Sequence, residues 1–110
     1  MALSLNRASL IGHVGKKPEI RTMQDGREMA TFGLATSESW KEKGTDNRKT
    51  KTEWHRIVVF SEGLVRFIKN YVEQGARMFI EGSLQTRRWM DKDNIEKSVT
   101  EIVLQGFDGR

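Results

Sequence analysis

The sequence contains no cysteine, which excludes a disulfide framework and any thiolate metal site and is compatible with a reducing cytosol. No segment approaches the roughly 20 apolar residues of a membrane span. The N-terminus, MALSLNRASLIGHVG, has no basic region followed by a long apolar run, so no secretory signal is visible. No P-loop or nucleophile elbow occurs, and the glycines of GHVG are too sparse for a phosphate-binding fingerprint. His13 and His55 have no His, Cys or carboxylate at ligand spacing beside them, so both read as structural. Asp91, Asp93 and Glu96 around DKDN fit hairpin-turn chemistry better than a metal site. An enzyme, a resident metal and a cofactor are therefore not expected.

What remains is a moderately basic chain. Its 110 residues suit one domain, long enough to bury roughly 60–70% of the surface that the unfolded chain exposes. The net charge is +4 and the pI about 9.6, an excess that suits a polyanionic partner. The excess is concentrated: KEKGTDNRKTK, Lys41 to Lys51, carries five cations against two carboxylates. That segment reads as a polar loop.

Hydrophobic periodicity supplies the elements. RASLIGHV, Arg7 to Val14, is the first strand, with Gly12 and Gly15 read as a bulge or bend. After Pro18 the chain is extended as far as the Asp25-Gly26 hairpin signal. A long strand from about Glu28 to Trp40 follows, and after the basic loop comes TEWHRIVVF, Thr52 to Phe60. In SEGLVRFIKNYVEQG the period changes to that of a helix with Ser61 as N-cap and Gly75 just past its end. Strands return at Arg77 to Trp89 and near KSVTEIVLQ. Five strands with one helix between the third and fourth is the order of an OB-fold, an all-β Greek-key barrel used for oligonucleotides.

The aromatics divide into two groups. Phe32, Phe67, Tyr71 and Phe79 lie in apolar patterns and read as core. Trp40, Trp54 and Trp89 each have cations within two residues, which fits a buried site poorly. Alternation puts Trp54, Arg56, Val58 and Phe60 on one side of their strand and His55, Ile57 and Val59 on the other. Aromatic rings interleaved with cations form a stacking platform for single strands, at roughly 1–3 kcal/mol per base, while Lys and Arg neutralise phosphates. Duplex readout needs a helix or ribbon at base edges, and the one helix here carries only Arg66 and Lys69 as cations.

The stretches NRASLIGHVGKKPEIR, FGLATSESWKEK, TEWHRIVVF, FIEGSLQTRRW and TEIV closely resemble the bacterial and mitochondrial single-stranded DNA-binding protein family, in order and spacing, over nearly the whole chain. The resemblance implies an OB-fold subunit of a homotetramer that binds and protects single-stranded DNA in replication, repair and recombination. An initiator Met with no Arg/Ser-rich presequence favours the bacterial cytoplasm and nucleoid over the mitochondrial matrix. The resemblance also implies that Trp40, Trp54, Phe60 and Trp89 stack on bases. Arg7, Lys43, Arg56, Arg87 and Arg88 fall where the family places phosphate-contacting cations, and His55 falls at a subunit interface. Glu62, Gln74 and Gln85 replace cations expected there, and one residue is inserted near Gly63, so fewer charge contacts and a shallower salt dependence are expected. The family's flexible C-terminal tail, with an acidic tip that recruits replication and repair proteins, has no counterpart before FDGR; the whole chain is expected to be the single DNA-binding domain. The alternative is a related OB-fold adaptor of primosomal type that binds DNA weakly.

Overall fold

In a computed structural model, which describes residues 3–104, the strands are β1 (Ala8–Val14), β2 (Glu19–Thr22), β3 (Glu28–Lys41), β4 (Arg48–Val59), β5 (Arg77–Met90) and β6 (Glu96–Leu104), with α1 (Glu62–Tyr71) between β4 and β5. The sheet order is β1-β5-β6-β4-β3-β2. Pairing of β1 with β3 through His13–Ala35 and Val14–Leu34 joins the ends of the five long strands into a closed barrel. This is the expected OB-fold architecture. The short extended segment after Pro18 is a sixth strand, laid antiparallel along β3 outside the closed ring.

Closure depends on Gly12, where β1 passes from its partner β5 to its partner β3. A β-carbon there would lie 2.3 Å from the carbonyl oxygen of Ala35. The pairing with β5 runs in step from Ala8 to His13, so of the bulge or bend expected there no bulge forms, and the glycine serves close approach of two backbones. The β4–β6 pairing is parallel, Ile57 beside Ile102 and Val59 beside Leu104. It brings residues more than forty positions apart in the sequence onto neighbouring strands, which decides the chemistry of the outer face.

The barrel interior is filled by Leu34, Ile57, Val59, Ile80, Ile102 and Leu104, and α1 adds Val65, Ile68 and, just past its end, Val72. Burial of each such side chain contributes about 1.5–3 kcal/mol. Phe32 is in this core, but Phe67, Tyr71 and Phe79 are exposed, contrary to expectation. Phe67 and Tyr71 sit about 100° around the helix from Ile68 and Val72, off the buried stripe, with ring centroids 5.4 Å apart. Phe79 alternates outward from the buried Ile80.

Two further details differ. Ser61 occupies the N-cap of α1 but makes no side-chain cap bond, and the helix ends at Tyr71, so Gly75 lies in the following turn and not directly past the helix. The basic segment is mostly strand: β3 runs to Lys41, β4 starts at Arg48, and only residues 42–47 connect them. Unbroken backbone pairing carries this ribbon beyond the barrel, with Glu38 opposite Lys51 and Trp40 opposite Lys49. The β5–β6 turn follows its sequence chemistry. The Asp91 carboxylate accepts backbone N–H bonds from Asp93 at 2.8 Å and Ile95 at 2.9 Å.

Candidate nucleic-acid interface

The outer face of β4, β6 and β5 carries a connected set of aromatic and charged side chains. At its centre is Glu101, only 3% exposed. Arg87 grips this carboxylate with two parallel bonds, Nε to Oε1 at 2.9 Å and Nη2 to Oε2 at 3.1 Å. Arg56 Nε donates to Oε2 from the other side. The arrangement follows from topology: parallel pairing sets Arg56 of β4 beside Glu101 of β6, and antiparallel pairing sets Gln85 opposite Glu101 with Arg87 two residues along β5.

Bidentate geometry uses the planar fork of Arg, which Lys cannot reproduce. Hydrogen bonding from Arg87 holds the Glu101 carboxyl below its ordinary value, against the opposing effect of burial, with Arg56 adding to the depression. Both arginine side chains remain about half exposed. Each keeps unused N–H donors, so Glu101 fixes the guanidinium planes without consuming them. Arg87 also lies 5.5 Å from the Trp89 ring centroid, a cation–π distance.

Trp54 extends the set along β4. Its indole is 63% exposed and rests on glycine: a β-carbon at Gly15 would come within 2.7 Å of the ring, and one at Gly33 within 3.5 Å. The indole therefore packs against glycine backbone at its six-membered ring and is otherwise largely exposed.

The remaining expected residues are distributed differently. β3 and β4 pair without interruption from Ala30–Val59 to Lys41–Arg48. Alternation along that ladder puts Trp40, 45% exposed, on the ribbon face opposite to Trp54. Arg88 likewise points to the opposite side of β5 from Arg87 and Trp89. Lys43 is in the 42–47 turn. Arg7 precedes β1 and forms an ion pair of 3.9 Å with Glu81. Phe60 lies just past β4, its N–H bonded to Leu104, in a separate groove with Arg27, Arg66 and Lys69. Val58 is buried rather than exposed between Arg56 and Phe60. His55 is half-buried, its Nε2 2.8 Å from the Thr36 hydroxyl.

The sequence does not single out Glu101, because a lone glutamate in a strand reads as a solvated residue. The available signal is its position in TEIVL, on the same alternating face as Val103 within an otherwise apolar run. Among the described residues no group of three or more His, Cys, Asp or Glu is placed to hold a metal ion.

The sequence model of the "Single-strand binding protein family" matches residues 5–108. The chain is 53% identical over 110 residues to the single-stranded DNA-binding protein of Rickettsia typhi, covering all of this chain and 72% of that protein. It is 51% identical over 108 residues to that of Rhizobium meliloti, covering 98% of this chain and 62% of the relative. Among solved structures it is similar to one described as Plasmodium falciparum SSB complex with ssDNA, with a TM-score of 0.90 and 42% identity over 100% of this chain and 95% of the other.

Proposed function

The chain belongs to the single-strand binding protein family, and from that premise we propose that it binds single-stranded DNA with little regard to sequence. In this reading the outer face of β4, β6 and β5 is the principal surface. The observation that carries it is the continuity of Trp54, Arg56, Glu101, Arg87 and Trp89, which alternates open rings with oriented guanidinium groups. Bases stack on Trp54 and Trp89, and Arg56 and Arg87 meet phosphates or stack beside bases. Trp40, Lys43 and Arg88 serve a strand that continues around the projecting β3–β4 and β5–β6 ribbons. Phe60 serves it in the groove beside α1, and Arg7 near the start of β1.

Biologically this supports protection of exposed single strands in replication, repair and recombination, in the cytoplasm of a bacterium, by a homotetramer with His55 near a subunit contact. Four stacking contacts supply about 4–12 kcal/mol gross, against an association cost of about 4–15 kcal/mol. Sharing one strand among several subunits meets much of that cost once.

The direct test is fluorescence titration with oligo-dT. Trp emission is expected to be strongly quenched at low salt and to recover as salt rises, because phosphate contacts release counterions. Unchanged emission at low salt overturns the reading. A finer test addresses the seat of Trp54. Gly15→Ala forces the indole to move by the 2.7 Å contact. It should weaken oligo-dT binding by up to the roughly 1–3 kcal/mol that one stacking contact supplies, while the urea midpoint changes little. Wild-type affinity in Gly15→Ala would show that the seated ring position is not the binding one.

A further inference from the structure

Beside Trp54, the β1–β2 connection carries two consecutive lysines, Lys16 and Lys17. Both are exposed. Among the described residues neither makes an ion pair or side-chain hydrogen bond, whereas Lys41, Lys49, Lys51, Arg56 and Arg87 all face carboxylates at close range. Lys16 and Lys17 line one open cleft, about 370 Å³ in volume, together with Gly33, Trp54 and Arg56. The only carboxylate lining it is Glu19, and Arg21 already occupies that group at 3.0 Å.

The backbone leading into the lysines is anchored. Gly15 N–H donates to the Gly33 carbonyl at 2.9 Å, and Val14 N–H to the Ala76 carbonyl at 2.9 Å. Directly after Gly15, which seats the indole, the chain must therefore leave the barrel beside the ring. Pro18 then restricts its backbone.

We propose that Lys16 and Lys17 are a phosphate-binding step, flanking the base stacked on Trp54 and extending the interface from β4 onto the β1–β2 connection. This rests on the reading of the outer face as a single-strand surface and adds residues to it. An ammonium on a flexible stem suits this place: it follows a phosphate as a point charge without the fixed plane that Glu101 imposes on Arg56 and Arg87. The step also compensates in part for Glu62, Gln74 and Gln85, where cations were expected.

The test compares the full chain with K16Q/K17Q and K16R/K17R, titrated with oligo-dT of about eight nucleotides, within the span of one OB-fold. Two lost phosphate contacts should reduce the slope of log K against log salt by about 1.4, at about 0.7 per contact on a single strand. The Arg pair should keep the wild-type slope, and the quenching plateau of K16Q/K17Q should match wild type because the stacked base stays on Trp54. A wild-type slope in K16Q/K17Q overturns the proposal while leaving single-strand binding intact. Absence of quenching in the wild type would instead remove the reading on which it rests.

Discussion

Replacing Arg56 and Arg87 together by alanine should destabilise the fold by about 3–5 kcal/mol, because it leaves a buried carboxylate with no counter-charge. Each single replacement leaves one arginine on Glu101 and should cost only about 1–2 kcal/mol. The asymmetry follows from exposure. Both arginines are about half exposed and rehydrate easily when unpaired, whereas the Glu101 side chain is 4% exposed and does not. Adding Glu101→Leu to the double variant removes the stranded charge and should restore most of the loss. Urea denaturation at fixed protein concentration compares the four variants with the wild type.

The pH dependence gives this prediction a sign as well as a size. In the wild type the arginines hold the Glu101 carboxyl below its ordinary value of 4.5. Its contribution is therefore complete above that value and is lost only as pH falls through the lower folded-state pKa. Without the arginines burial alone acts and raises the folded-state pKa above 4.5. The double variant should then gain stability as pH falls towards 4.5, where the wild type shows no gain from this group. If Glu101→Leu brings no recovery, or the double variant shows no gain on acidification, Glu101 is not the buried charge that the arginines compensate.

This carboxylate also marks where the sequence ceased to be legible. Local periodicity located every long strand and the helix, because each must bury one face. It placed Trp54 and Arg56 outward and Ile57 and Val59 inward correctly. Val58 keeps the side that alternation gives it, yet it is buried, because burial on an outer face depends on neighbouring strands and its neighbours Thr31 and Val103 are buried too. The core reading of Phe67 and Tyr71 failed because the apolar stripe of α1 is wider than the surface it covers. Glu101 could not be paired from sequence: Arg87, 14 positions away, meets it across the antiparallel β5–β6 pairing, and Arg56, 45 positions away, across the parallel β4–β6 pairing. Trp40 looked equivalent to Trp54 until an unbroken twelve-pair ladder set it on the other face.

That opposition of faces leads to the largest expected effect on binding. Extending the β4–β6 register puts Trp54 level with Val99, two residues along β6 from Lys97, which faces Trp89. Two strand spacings across and two residues along separate the rings by roughly 12 Å on a flattened sheet, a distance a few nucleotides can bridge. W54A and W89A should each weaken binding of an oligo-dT of about eight nucleotides by roughly 1–3 kcal/mol, or about 5- to 150-fold. The two losses should add in the double variant, since each removes a separate base contact. Trp40 faces away from this path and is reached only by a strand that turns round the β3–β4 ribbon. W40A should therefore leave the short oligonucleotide within about threefold of wild type, yet weaken an oligo-dT several times longer by about 1 kcal/mol or more. Fluorescence anisotropy with labelled oligonucleotides of the two lengths separates these cases. Equal losses for W40A and W54A on the short strand would mean that the DNA follows the ribbon edge, and not the β4–β6–β5 face.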